Sequence, residues 1–136
     1  MNSKIKKVSF LITILVLFFS LFMLKNKYSK NKYSKIEFEE NNFDFGNIKK
    51  NQAVKKYFVY KNIGEAPILI SNIQSSCGCT IPIWTEEEMD SGKRDSILIQ
   101  YDSKKVGKFS KSVYVHYNSK KNKPYKLIIR GFVYND

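Results

Sequence analysis

The chain has 136 residues, with 24 Lys and Arg, 12 Asp and Glu, one His and two Cys. Hydrophobic residues make up 43% of it and aromatic residues 15%, which excludes a disordered chain and predicts one folded domain with an appendage. Two cysteines exclude a disulfide-dense scaffold, and a single histidine excludes a metal site built from several histidines.

The net charge of +12 is concentrated at the N-terminus. Residues 1–35 contain eight lysines and no acidic residue, whereas residues 36–136 contain 16 basic and 12 acidic residues. Because the excess flanks an apolar segment, it is typical of contact with a membrane rather than with nucleic acid. We therefore expect a membrane partner and no nucleic-acid partner.

Residues 8–24 form an uncharged, apolar run of 17 residues that follows three lysines. This length is at the lower limit of about 17 residues for a transmembrane helix, and no small-residue cleavage site follows it. Residues 1–25 are therefore predicted to be an uncleaved signal anchor, with the membrane contacted through residues 8–24. A cleaved signal that releases a secreted form is the alternative, and a core helix is disfavoured because no side of the segment is polar.

The orientation of this anchor can be read in two ways. Five lysines follow the apolar run and three precede it, a distribution that by the positive-inside rule favours a cytoplasmic domain. A first apolar segment with a short basic head is, however, the usual form of an export signal. We expect the globular part to be extracytoplasmic, in the periplasm or at the cell surface.

The next ten residues, 26–35, repeat the pentapeptide Asn-Lys-Tyr-Ser-Lys in tandem. This polar repeat has no apolar periodicity that would give it a buried face, so it predicts a solvated, Lys-rich tether.

Residues 36–136 alternate between apolar and polar side chains, with turn residues between the alternating segments. The pattern predicts strands over residues 36–40, 42–45, 54–62, 67–74, 77–84, 95–102, 109–118 and 125–134. Some of these segments are short, so we expect about seven strands in an all-β, immunoglobulin-like β-sandwich. A single helical turn over residues 85–89 is the one helical element expected within it.

The sequence Ser75-Ser76-Cys77-Gly78-Cys79-Thr80 contains the clustered reactive side chains of the chain. On a straight strand, Cys77 and Cys79 would point to one face with Cα atoms about 6.6–7 Å apart, at or beyond the limit for a disulfide. Gly78 is therefore expected to supply a backbone kink if the two sulfurs are joined.

Three interpretations of this motif stay open. The cysteines are small buried hydrophobic residues, or a redox-active or regulatory disulfide, or thiolate ligands that suit Cu(I). The metal is unknown, and zinc is disfavoured because the chain has no second pair of ligands. His116 is expected to point away from the core, opposite to Val115 and Tyr117, and not to serve as a ligand or catalytic base.

Several motifs resemble the bacterial domain-of-unknown-function family number 1573, whose domains are similar to the immunoglobulin-like Hydin-type and major-sperm-protein-type modules. The most specific of them is Ser76-Cys77-Gly78-Cys79-Thr80. The others, which gain weight from their order, are Phe43-Asp44-Phe45-Gly46-Asn47-Ile48, Phe58-Val59-Tyr60-Lys61-Asn62-Ile63-Gly64, Pro67-Ile68-Leu69-Ile70, Gly107-Lys108-Phe109 and Leu127-Ile128-Ile129-Arg130-Gly131. The resemblance implies the sandwich fold and export over about residues 43–134, and it implies no settled activity.

The sequence departs from the family pattern at two turns. Lys50-Asn51 replaces the usual glycine after the first block, and Ser91-Gly92 replaces the usual Pro-Gly. Because asparagine tolerates a left-handed backbone, we expect Asn51 to preserve the first of these turns.

The sequence lacks paired catalytic carboxylates at a recognisable spacing, a glycine-rich phosphate loop and a nucleophile elbow. We therefore expect a non-enzymatic, membrane-anchored, exported module without a cofactor that binds another protein or envelope component. The alternative is a thiol redox or Cu(I)-handling protein that uses Cys77-Gly78-Cys79.

Overall fold

The structure is a computed structural model that describes residues 3–29 and 33–135. Side chains are described for residues 8–24 and 33–135. Residues 1–32 and residues 33–136 form two separate compact units. Residues 30–32 of the predicted tether lie outside the described residues.

The first unit contains one helix, α1 (Ser3–Ser29), whose described side chains at residues 8–24 are all exposed. At a rise of 1.5 Å per residue these 17 residues extend for about 25 Å, less than the hydrocarbon core of about 30 Å. Within the described part of the chain, no helix has both the length and the apolar character needed to cross a membrane. The apolar run is therefore helical, and the prediction that it is a transmembrane anchor is not supported.

The second unit contains eight strands, where about seven were expected. They are β1 (Ile36–Phe38), β2 (Asn42–Lys49), β3 (Ala53–Asn62), β4 (Ile70–Ser75), β5 (Thr80–Ile83), β6 (Arg94–Asp102), β7 (Gly107–Tyr117) and β8 (Tyr125–Tyr134). Residues 85–89 form no helical turn; instead Met89 pairs with Ile68 in an isolated β-bridge. Asn51 has the expected left-handed backbone, with φ of 64°.

The strands form two four-stranded sheets, ordered β1-β3-β6-β5 and β2-β8-β7-β4. All neighbouring strands are antiparallel except β2 and β8, which are parallel. The chain passes from one sheet to the other five times, and two of these crossings are those between β4 and β5 and between β6 and β7. These two crossings lie at the same end of the sandwich, because Thr80 at the start of β5 pairs with Tyr101 near the end of β6.

The core lies between the sheets and consists of the inward-facing residues of each strand. On β6, Ile97, Ile99 and Tyr101 alternate inward as the sequence predicted, and all three are buried. The same holds for the alternating aliphatic residues of β7 and β8, which are Val113, Val115, Leu127, Ile129 and Val133. Burial of such side chains contributes about 1.5–3 kcal/mol each, and it is the main source of stability of the fold.

Asn62, at the end of β3, organises one end of the sandwich and is fully buried. Its Nδ2 donates hydrogen bonds to the carbonyl oxygens of Ala66 (2.9 Å) and Met89 (3.0 Å). Its Oδ1 accepts a hydrogen bond of 2.9 Å from the backbone N–H of Gly64. The side chain thus joins two loops. We call this region, residues 33–35, 62–68 and 89–92, the amide end.

The last residues of the predicted tether, 33–35, are part of the sandwich and not a solvated linker. The carbonyl oxygen of Tyr33 accepts hydrogen bonds from the N–H groups of Glu65 and Ala66, and Ser34 is buried against Asn118. A Cβ atom at Gly64 would lie 2.4 Å from the Tyr33 carbonyl oxygen. Glycine at position 64 therefore permits this close approach, and the folded unit begins earlier than the sequence predicted.

Candidate functional site

A disulfide bond joins Cys77 and Cys79 in the turn between β4 and β5, where the chain passes from one sheet to the other. The predicted strand over residues 77–84 is therefore wrong at its start, because β5 begins at Thr80. Within the turn the Cα atoms of the two cysteines are 5.3 Å apart, inside the usual range for disulfides. The distance limit expected for a straight strand does not apply.

Polar residues on both sides of the cysteines hold this turn in place. The hydroxyl of Ser75 donates a hydrogen bond of 2.7 Å to the carbonyl oxygen of Cys77, and the N–H of Thr80 donates to the same oxygen. Ser76 is paired with Ser112 of β7 in both directions, through its N–H (2.9 Å) and its Oγ (3.1 Å). The serines and threonine of the motif thus fix the disulfide against the sandwich.

Gly78 lies in the turn of the backbone between the two cysteines. Its φ is not in the left-handed region, and a Cβ atom built on it would meet nothing within 4 Å. The turn that brings the two sulfurs together therefore does not require glycine. Because glycine has no side chain, the backbone at this position is exposed between two half-buried cysteines.

The disulfide forms part of the wall of a cleft of about 480 Å³. The other walls come from the end of β6, from the β6–β7 loop and from the start of β7. The lining residues are Cys77, Gly78, Cys79, Tyr101, Asp102, Lys104, Lys105, Val106, Gly107, Lys108, Phe109 and Lys111. We call this region, residues 76–80 and 102–111, the disulfide end.

The cleft has an excess of positive charge. Asp102 forms an ion pair of 2.8 Å with Lys104, which raises the pKa of Lys104. Lys105, Lys108 and Lys111 have no ion-pair partner among residues 33–135. Four lysines thus stand against one carboxylate, and such an excess in a concave site attracts anions.

Two buried aromatic residues form the base of the cleft. The rings of Tyr101 and Phe109 are stacked with their centroids 3.9 Å apart, and they join β6 to β7 beneath the lysines. Burial raises the pKa of Tyr101, and the nearby charge of Asp102 raises it further. Tyr101 is therefore a neutral, rigid part of the cleft and not an acid that titrates near neutral pH.

Ser103 fixes the loop that carries Lys104 and Lys105. It is fully buried, and its hydroxyl lies 2.8 Å from the carbonyl oxygen of Lys49 and 2.7 Å from that of Gln52. The N–H of Gln52 in turn donates a hydrogen bond of 3.0 Å to the Ser103 hydroxyl. These hydrogen bonds thus fix the position of the residue that precedes Lys104 and Lys105 in the loop.

His116 lies on β7 away from the disulfide, and it packs outside the core while Val115 is buried, as expected. Its Nε2 is 3.3 Å from Oε1 of Gln74. It lies four positions after Ser112, the residue that pairs with the turn, and is therefore about 13 Å from the turn along β7. Among the described residues, no group of three or more His, Cys, Asp and Glu is arranged to hold a metal ion.

The bridge bears on the three interpretations of the cysteines. Cys77 and Cys79 are half-buried and joined to each other, so they are not simply buried thiols, although Cys79 packs against the core. In the bridged form neither sulfur is a thiolate, the form that binds a metal. A redox role of this bridge stays a prediction.

The lysines of the cleft are not evident from the total charge of residues 36–136, in which 12 acidic residues offset most of the 16 basic ones. The signal was present in residues 104–111, where four of eight residues are lysine and none is acidic. The position of these lysines beside Cys77-Gly78-Cys79 depends on the pairing of β5 with β6 and could not be inferred from spacing.

The fold is similar to that of several solved structures. A protein of unknown function from Porphyromonas gingivalis W83 matches with a TM-score of 0.64 at 12% identity, over 73% of this chain and 46% of that chain. The PapD-like domain 7 of human CEP192 matches with a TM-score of 0.64 at 10% identity, over 76% and 88% of the two chains. The MSP family member WR4 of C. elegans matches with a TM-score of 0.52 at 9% identity, over 75% and 100%.

These likenesses confirm the immunoglobulin-like, major-sperm-protein-type sandwich, and at such low identity they concern the fold alone. The chain spans about half the length of the Porphyromonas protein. No curated protein matches this chain. The model of the family described as "Protein of unknown function (DUF1573)" matches residues 36–133, and this chain belongs to that family.

Proposed function

We propose that the protein is a non-enzymatic, exported binding module that is attached to a membrane by α1 and binds a partner protein at the disulfide end. The observation that carries the proposal is the cleft of about 480 Å³ with four lysines and a single carboxylate. Charged side chains that have no partner within the fold are available to bind a ligand of opposite charge.

Two further features support attachment and export. The described side chains of α1 are uncharged and exposed on every side, and apart from the hydroxyls of Ser9, Thr13 and Ser20 they are apolar, so the helix has no charged face for solvent. Disulfides persist in oxidising compartments, and the Cys77–Cys79 bridge is therefore compatible with a location outside the cytoplasm.

Location is tested with intact spheroplasts of the cell that makes the protein. Added protease should digest residues 36–136, and the protein should stay in the membrane fraction after washing with high salt. Protection of the domain alongside a cytoplasmic control would refute export. Release by salt alone would refute attachment through the apolar helix.

Binding is tested with a photo-crosslinking amino acid at Val106, which is 54% exposed at the mouth of the cleft. We expect a discrete protein adduct in native membranes, which should be lost when Lys105, Lys108 and Lys111 are replaced by Gln. The control is the same amino acid at Tyr57 on β3, which is 59% exposed and does not line the cleft. An adduct of equal yield from both positions would refute the cleft as the binding surface.

We propose thiol exchange as a second function because the disulfide is only partly buried and lines this cleft. A structural disulfide is usually enclosed, whereas one that opens to an electropositive cleft is accessible to an attacking thiolate. A count of free thiols against redox potential on the native protein tests this. A bridge that stays closed until the domain unfolds would refute it.

A further inference from the structure

The lysines of the cleft have a chemical consequence for the disulfide. Exchange begins with a thiolate that attacks one sulfur and displaces the other as a second thiolate. Lys104, Lys105, Lys108 and Lys111 line the same cleft as both sulfurs, so the incoming and the departing negative charges are formed in a positive environment. Nearby cations stabilise thiolates relative to thiols.

Thr80 distinguishes the two cysteines. Its Oγ1 is 3.5 Å from Sγ of Cys77, and because a disulfide sulfur has no proton, the threonine hydroxyl is the donor. A donor at this position stabilises negative charge on Cys77 when the bond opens. The neighbouring Cys79 instead packs against the core. The geometry favours Cys77 as the leaving group and Cys79 as the sulfur that is attacked.

We infer that the disulfide end is a thiol–disulfide exchange site for an anionic dithiol, namely a cysteine pair in an acidic segment of a partner protein. This inference rests on the thiol-exchange function proposed above and names its substrate class. The lysines attract the acidic segment, and the exposed backbone at Gly78 leaves room beside the sulfurs for its chain.

The exchange balances without any further reactant. A partner thiolate forms a bond to Sγ of Cys79, the Cys77–Cys79 bond breaks, and its electron pair leaves with the Cys77 sulfur beside Thr80. The second partner thiolate then attacks its neighbour in the mixed disulfide and displaces Cys79. The partner is oxidised to a disulfide, and Cys77 and Cys79 are reduced to two thiolates that take up protons from water.

The experiment measures the rate at which the bridge of the full chain, in neutral detergent, is opened by three small thiols. They are mercaptoethanesulfonate, which is anionic, 2-mercaptoethanol, which is neutral, and cysteamine, which is cationic. With rates expressed per thiolate, we expect the anionic thiol to react about tenfold faster than the cationic one at low salt. The difference should disappear in about 1 M salt, where the screening length is about 3 Å.

Matched variants locate the effect. Replacement of Lys105, Lys108 and Lys111 by Gln should abolish the preference for the anionic thiol. The control replaces three exposed lysines of the β7–β8 turn, Lys120, Lys121 and Lys123, and changes the net charge equally. An equal loss in both variants would overturn the assignment to the cleft.

The other outcomes are equally distinct. Equal rates for the three thiols would overturn the inference that the substrate is anionic, but not the proposal of thiol exchange. A bridge that none of the thiols opens in the folded protein would overturn both. Thr80→Val should slow opening about threefold or more, and Thr80→Ser should restore it. A Thr80→Val rate equal to that of the wild type would overturn Cys77 as the assisted leaving group.

Discussion

At the amide end, the side chain of Asn62 is fully buried and forms three hydrogen bonds to backbone groups of two loops. At the disulfide end, Lys105, Lys108 and Lys111 line a cleft and have no ion-pair partner among residues 33–135, and the crossing turn is held by a covalent bond. Buried polar groups that are fully paired contribute to stability, whereas charges left unpaired on a surface do not. The comparison shows that the polar groups of one end are paired within the fold, whereas the other end keeps unpaired charges at its surface, as the proposed binding function requires.

The largest effect is expected from Asn62→Ala. This change leaves the N–H of Gly64 and the carbonyl oxygens of Ala66 and Met89 without their partner, and it should lower the free energy of unfolding by about 3 kcal/mol. Urea unfolding measures it, with the exposed Asn72→Ala as the control that should change little. If both changes lowered the free energy of unfolding equally, the hydrogen bonds of the amide end would not be a special source of stability.

The two ends can next be compared at one glycine each. Gly64→Ala places a methyl group against the backbone of Tyr33 and Lys35, so it should destabilise the domain by about 2 kcal/mol or more. Gly78→Ala meets no atom within 4 Å and should change the free energy of unfolding by less than about 0.5 kcal/mol. Thermal unfolding of both variants tests this, and a larger loss from Gly78→Ala would reverse the comparison.

Loss of the disulfide should cost less stability than loss of Asn62. The bridge closes a loop of only three residues, for which loop-closure entropy gives about 1.6 kcal/mol. The double replacement Cys77→Ser and Cys79→Ser should therefore give a folded domain with a modestly lower urea midpoint. An unfolded product would show that the bridge is structural and would refute the contrast between the two ends.

The smallest effect is a dependence of stability on alkaline pH at Tyr60, which lies on β3 two residues before Asn62 of the amide end. Burial raises the pKa of Tyr60, and Asp95, 3.5 Å from its hydroxyl, adds to the shift. Above its ordinary pKa of about 10 the unfolded chain loses this proton first, so the free energy of unfolding falls as pH rises, by up to about 1.4 kcal/mol per pH unit.

Tyr60→Phe should remove this contribution from the slope of unfolding free energy between pH 10 and 11. Tyr101→Phe makes the same test at the disulfide end, since the pKa of Tyr101 is also raised. An unchanged slope in Tyr60→Phe would show that its proton is not held more tightly in the folded state.

The sequence predicted those parts of the fold that depend on local periodicity. The inward positions of β6, β7 and β8 could be read from alternation, because each strand buries one face whatever its neighbours are. The left-handed turn at Asn51 was likewise predicted, because backbone preference is a property of a single residue type.

The features that were predicted wrongly, or were not predicted, depend on contacts between residues far apart in the chain. Asn62 was part of a motif, but its contacts with Ala66 and Met89 exist only once two loops are folded. The alternation of apolar and polar residues also predicted a strand that begins at Cys77. This was wrong because the alternation does not show where the turn between the two sheets ends and β5 begins. The sequence leaves three interpretations of the cysteines open, because the spacing of Cys77 and Cys79 alone does not distinguish a turn from a strand.

The segment 33–35 has a mechanical consequence. Tension applied along the chain from its N-terminal side enters the sandwich at Tyr33, where the first bonds to bear it are those to Glu65 and Ala66. The cleft lies at the other end of β3, about 30 Å away along its ten residues. A pull that enters from the N-terminal side is thus borne first by the hydrogen bonds of the amide end, one strand length away from the lysines of the cleft.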